Sequence, residues 1–145
     1  MKEVTNLMIN EFKIMELGMD FMGYEVKRKE SLSFHHLIVP HRDCKRKGLG
    51  NGYYRWNGAI LTQDIKRSGS DSHDYLHVIE RYDPEIFALI SSEMIDENIK
   101  GRLDRDNLLR IKALLEYFER EYANKRTNKG NLIVKEEYVL KRVLK

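Results

Sequence analysis

Residues 34–40, Phe34-His35-His36-Leu37-Ile38-Val39-Pro40, followed by Trp56-Asn57-Gly58-Ala59-Ile60-Leu61 and then Ser72-His73-Asp74-Tyr75-Leu76-His77, decide how the rest of the chain is read. Leu32 to Val39 reads as a strand, and Gly58 to Thr62 as a second, short and buried one. Two histidines four apart share one face of a helix, so His73 and His77 point at a common ion if the segment from Ser72 onward is helical. Adjacent strand residues point to opposite faces, so His35 and His36 need a bend to converge, which Pro40 and the glycines after it can supply. Imidazole is the commonest metal ligand and the side chain that titrates nearest neutral pH. A strand end and a helix that both carry histidine therefore make a candidate metal site. All five histidines fall between residues 35 and 77; the remaining one, His41, is read as a surface or structural residue.

Outward from this third of the chain, 145 residues fit one domain, 1–145, large enough to bury a core without disulfides. The single cysteine, Cys44, is too few for an internal disulfide or a zinc ribbon. No run of about eighteen apolar residues is present, and the first residues lack the basic-then-apolar pattern of a secretory signal. The expectation is an intracellular, cytoplasmic protein without a membrane partner. Net charge is +3, but residues 41 to 56 hold five Lys or Arg against one Asp. A basic loop between two histidine pairs suits a polyanion at a metal centre. Arg42, Lys45, Arg46, Lys47 and Arg55 are the candidate phosphate contacts, with Lys66 and Arg67 extending the surface. Tyr53, Tyr54 and Trp56 are able to stack on bases, although packing at the loop exit is the favoured reading for Trp56. Gly48, Gly50 and Gly52 do not have P-loop spacing.

The flanks read as mostly helical. Val4 to Leu17 has a helical apolar pattern that Gly18 is placed to stop. Phe21 to Lys27 alternates weakly, which suggests an antiparallel pair with Leu32–Val39 around Lys27 to Ser31. Asp71 or Ser72 is placed to cap the histidine helix, which ends near Tyr82; Asp83-Pro84-Glu85 starts the next. A longer helix runs from about Asp104 to Tyr122. Beyond the polar break from Asn124 to Asn131, the tail from Leu132 to Leu144 is compatible with a helix or with a strand followed by a helix, with a peripheral basic end.

The ordered residues His35-His36, Asn57 and His73-x-x-x-His77 resemble the HNH endonuclease family of the ββα-metal fold, over residues 33 to 79. The resemblance implies an α+β fold: an antiparallel β-pair and a histidine-bearing helix, flanked by further helices, the helical C-terminal part covering about 83–145. It implies that His35, His73 and His77 hold one divalent ion, that His36 is the general base and that Asn57 orients it. Hydrolysis of DNA phosphodiester bonds would follow, in a phage or mobile-element setting. A three-histidine site suits Zn²⁺, Ni²⁺ or Mn²⁺ better than Mg²⁺, which prefers oxygen ligands. The sequence departs from the family in having Leu37 three residues before Pro40, where histidine is frequent, and in lacking paired Cys-x-x-Cys knuckles. Asp74 and Glu80 are candidates for orienting the imidazoles, with plain surface charge the favoured reading. Two rivals stand beside the nuclease. One is an inactive binding protein on the same scaffold, for nucleic acid or a protein partner, such as a phage-encoded inhibitor of bacterial defence of the anti-CRISPR kind. The other is an interaction protein whose histidines only staple the fold.

Overall fold

Ser33 and His35 face one side of a strand and Phe34 and His36 the other, and this alternation organises the surrounding elements. In the computed structural model, which describes residues 2–64 and 71–144, these elements are, in chain order, α1 (Lys2–Glu11), α2 (Ile14–Leu17), β1 (Leu32–His36), α3 (His41–Cys44), β2 (Gly58–Thr62), α4 (Ser72–Tyr82), α5 (Pro84–Lys100), α6 (Arg105–Tyr122) and α7 (Glu136–Leu140). Short 3₁₀ turns precede each strand. The class is α+β. Lys66 and Arg67 lie outside the described residues.

β1 and β2 pair antiparallel from Leu32 opposite Thr62 to His36 opposite Gly58. The pairing expected between Phe21–Lys27 and Leu32–Val39 is not formed. Tyr24 and Val26 are buried while Glu25 and Lys27 are exposed, but the backbone of the segment is bonded elsewhere: Phe21 N–H donates to Ile60 O, Glu25 N–H to Lys141 O and Val26 N–H to Gly18 O. It makes only isolated bridges, Met19 to Glu25 and Tyr24 to Arg142. β1 also stops at His36 rather than Val39, because Asn57 Oδ1 accepts the N–H groups of Ile38 (3.0 Å) and Val39 (2.7 Å). Every residue of β2 is buried, as expected.

The N-terminal helix is broken where a continuous one was expected. Phe12 and Ile14 are both fully inside, yet two residues apart on an α-helix they would face nearly opposite directions. Lys13, at φ 53°, turns the chain through the left-handed region and brings both into the core. Gly18, at φ 67°, ends α2 as its position suggested. Asp83 caps α5 by accepting from Ile86 N, with Pro84 in the first turn, and Asp104 caps α6 by accepting from Asn107 N. Asp71 stands at the N-cap of α4, its carbonyl accepting from Tyr75 N, but its side chain makes no capping hydrogen bond. Asp71 accepts from Lys141 Nζ at 2.9 Å, and Ser72 Oγ donates to the carboxylate of Asp20 at 2.6 Å.

α5 packs between α4 and α6, and α4 and α5 both lie on β2. The tail is docked rather than peripheral. Tyr138 is fully buried, its ring stacked on Tyr75 at 4.2 Å and 4°, and its hydroxyl donates to Asp74 at 2.5 Å. Arg142 makes a two-pronged ion pair with Glu119, both side chains largely enclosed.

Glu97, near the end of α5, is fully buried; its Oε1 accepts from Asp104 N, while Oε2 has no partner. Burial pushes its carboxyl up to about 9, against the backbone hydrogen bond from Asp104. Because the folded state holds this proton more tightly than the unfolded chain, the contribution to stability is fully present below about pH 4.5 and is lost as pH rises toward 9. Glu97→Gln keeps the acceptor and removes the ionisation. It is expected to stabilise the protein by about 3 kcal/mol at pH 7, at 1.36 kcal/mol per pKa unit, and to flatten the fall in stability between pH 5 and 9. Urea unfolding of both proteins across that range measures it; a variant no more stable at pH 7 contradicts it.

Candidate metal centre and adjoining histidine

One ring nitrogen from each of His35, His73 and His77 falls within 4.8 Å of the others. His35 reaches the cluster from the face of β1 that meets α4, and His73 and His77 come from successive turns of that helix. Ring centroids are 5.1 Å apart for His35–His73, 5.3 Å for His35–His77 and 5.1 Å for His73–His77. In a tetrahedral zinc site with bonds of 2.0–2.1 Å the ligand atoms lie about 3.4 Å apart, so the rings need to close by no more than about 1.4 Å.

The cluster fits a divalent transition metal on two further observations. First, His35 is 5% exposed and its Nε2 has no hydrogen-bond partner, which for a buried polar atom is costly unless something else binds there. Second, His35 and His73 favour the uncharged form that ligates. Burial, and then the neighbouring imidazoles, hold His35 well below the usual histidine range, and burial lowers His73 to about 4.

The Nδ1 atoms of the two helix-borne rings have partners. His73 Nδ1 lies 2.6 Å from Ser33 Oγ, and His77 Nδ1 lies 3.4 Å from Glu80 Oε1. Glu80 therefore does touch an imidazole. Asp74, its companion candidate, is bonded to Tyr138 instead.

His36 occupies the other side of β1. Its ring packs against Phe34, His41 and Tyr53 at centroid distances of 5.1, 5.1 and 5.0 Å. Its Nε2 is 2.8 Å from the carbonyl oxygen of Asn51. A carbonyl only accepts, so Nε2 carries the proton and Nδ1 keeps its lone pair. Burial lowers the pKa of His36, with the Asn51 hydrogen bond opposing and His41 assisting. Gly52 makes the approach of the Asn51 loop feasible: it sits at φ +75°, and a Cβ there would lie 2.2 Å from Cys44 Sγ and about 3 Å from the His36 ring.

Asn57 is fully buried, and its side-chain hydrogen bonds go to the backbone of Ile38, Val39 and Gly52 rather than to the His36 ring. Besides the two N–H groups after β1, its Nδ2 donates to the carbonyl oxygens of Val39 (3.0 Å) and Gly52 (3.2 Å). It thus ties the chain leaving His36 to the loop that holds His36 Nε2, and frames the imidazole from both sides.

His35, His36, His73 and His77 all open onto one cleft of about 430 Å³, which Arg42, Tyr53 and Glu80 also line. Arg42, Lys45, Arg46 and Lys47 are exposed on and just after α3; Arg46 also pairs with Asp43 at 3.1 Å. Arg55 is not presented with them. Its guanidinium is held by Glu11 at 2.9 and 2.7 Å and by Asn98 at 2.5 Å, over the ring of Phe12. On either side of Arg55, Tyr54 and Trp56 stack on each other at 5.6 Å and are 43% and 44% exposed, so Trp56 is half-buried in packing at the loop exit. Two further residues at the site are visible only in the fold: Ser33, signalled in sequence by nothing but its spacing two residues before His35, and Asp20, with no sequence signal.

No helix of the described residues is long and apolar enough to cross a membrane. Compared with known proteins, the chain matches no family model, no curated protein and no solved structure.

Proposed function

We propose that this protein is a metal-dependent endonuclease of the HNH type that hydrolyses phosphodiester bonds in DNA with one divalent ion and a histidine base. The observation that carries the reading is the sharing of one cleft by three converging imidazoles, one with an orphaned buried nitrogen, and a fourth whose proton is fixed on the far nitrogen by a backbone carbonyl. The antiparallel β1–β2 pair followed by α4 supports a ββα core. His35, His73 and His77 would hold the ion. When bound, it would supply a Lewis acid that draws charge from the phosphate and the departing 3′ oxygen.

The rest is work for the chain's own groups. His36 Nδ1 takes a proton from the attacking water, as an uncharged imidazole can at pH 7. The Asn51 carbonyl disperses the positive charge this creates, and Asn57 keeps the loop in place. Arg42 at the cleft, with Lys45, Arg46 and Lys47 beyond it, contacts the flanking phosphates. The water oxygen bonds to phosphorus as the bond to the 3′ oxygen breaks.

Supercoiled plasmid incubated with the protein and Mn²⁺, Ni²⁺, Zn²⁺ or Mg²⁺ is expected to be nicked with at least one of the first three, and excess chelator to stop it. Plasmid and RNA both left intact by protein that demonstrably holds metal sink the enzyme. RNA cut in preference to DNA moves the substrate class.

A further inference from the structure

Ser33 stands on β1 opposite Leu61, on the same strand face as His35, with its oxygen 3.0 Å from the Leu61 carbonyl and 2.6 Å from His73 Nδ1. A hydroxyl has one proton. The Leu61 oxygen can only accept, so Ser33 donates there and must accept from His73. His73 Nδ1 then carries a hydrogen, and Nε2 is left with the lone pair. The same logic holds for His77: a carboxylate accepts, so the contact from Glu80 places the hydrogen on His77 Nδ1. On His35 it is again Nε2 that is buried without a partner. Three separate local arrangements thus agree on one nitrogen.

We infer that Ser33 is a positioning residue of the metal centre: through the relay from the Leu61 carbonyl it fixes the tautomer and ring angle of His73, so that the ion is held by the Nε2 atoms of His35, His73 and His77, with Glu80 doing the same for His77 more weakly. This rests on the metal-binding part of the function proposed above, and not on cleavage. The ranking follows from geometry. The Ser33 bond is short and partly enclosed, whereas the Glu80 contact is 3.4 Å long between side chains 54% and 44% exposed. Loss of an outer partner of a ligating histidine typically lowers metal affinity 10- to 100-fold. Tethering by the sheet adds a further point. Because Ser33 and Leu61 are register partners, the relay ties the orientation of a helix-borne ligand to the pairing of β1 with β2.

The test is Co²⁺ and Zn²⁺ affinity by competition with a chromophoric chelator, on wild type, Ser33→Ala, Ser33→Thr and Glu80→Gln, each checked by thermal melting without metal. Nitrogen-15 imidazole spectra of the metal-free wild type run alongside. Expected are a 10- to 100-fold weaker Ser33→Ala, recovery in Ser33→Thr, a smaller loss in Glu80→Gln and a His73 spectrum of the Nδ1–H tautomer. A Ser33→Ala protein that melts like wild type and binds as tightly overturns the inference, as does His73 protonated on Nε2. Wild type that binds neither ion overturns the metal centre itself and the inference with it, a result distinct from intact binding without DNA cleavage. If Ser33→Ala unfolds, the tautomer and Glu80→Gln decide.

Discussion

His36→Ala is expected to slow plasmid nicking by 10²- to 10⁴-fold, the usual contribution of a positioned general base, while leaving the affinity for the ion unchanged. The separation follows from the strand. His36 points away from the face that carries Ser33 and His35, its ring is surrounded by Phe34, His41 and Tyr53, and it is outside the group of three that converge. Its Nε2 is engaged by Asn51, so the free lone pair at Nδ1 is the feature the substitution removes. His73→Ala should behave differently, losing metal affinity and cleavage together. Parallel measurement of metal binding and of initial nicking rate for the two variants tests the division. If His36→Ala cuts at the wild-type rate, the base is another group in the cleft. If it loses the metal as well, the two sides of β1 are not functionally separate.

Asp20→Ala is expected to destabilise the fold by about 3–5 kcal/mol, because it leaves several buried donors without an acceptor. The carboxylate is fully buried and accepts five hydrogen bonds: Met22 and Tyr24 N–H at Oδ1, and Thr62 N–H, Thr62 Oγ1 and Ser72 Oγ at Oδ2, between 2.6 and 3.0 Å. Burial raises its pKa, and the bonds from Ser72 Oγ and from the Thr62, Tyr24 and Met22 N–H groups pull the other way. One side chain therefore joins the loop after α2, the end of β2 and the first residue of α4, next to His73. Part of the loss is offset, since Thr62 N–H also reaches Ser72 Oγ at 3.2 Å. For a chain of this length the melting temperature should fall on the order of 10–20 °C, and metal affinity should fall with it as α4 loosens from β2. Urea unfolding of wild type and variant, with and without Zn²⁺, measures both. A change below about 1 kcal/mol would falsify the role of Asp20 as the junction of these elements.

What was legible beforehand was local. His73 and His77 on one helix face follow from a spacing of four, and the starts of α5 and α6 follow from Asp83-Pro84 and Asp104, because periodicity and capping act within a turn or two of chain. β2 was legible as a short apolar run between polar stretches. Partners distant in sequence were not. The strand opposite β1 is β2 and not the nearer stretch Phe21–Lys27, whose backbone bonds to Gly18, Ile60 and Lys141 and whose first residues fold around Asp20. Arg55 belongs to the basic loop by sequence, but its guanidinium is paired with Glu11, 44 residues away.

The sequence by itself determined which residue types the site contains and their order: histidines 35, 36, 73 and 77, with Asn57 between the pairs. Only the tertiary structure decided their division of labour. Strand alternation sends His35 toward α4 and His36 toward the Asn51 loop, and the hydrogen bonds from Ser33, Glu80 and Asn51 select which nitrogen each ring leaves free. Those choices depend on single donors and acceptors brought within 3.5 Å from up to 40 residues away, and spacing along a chain does not encode such contacts.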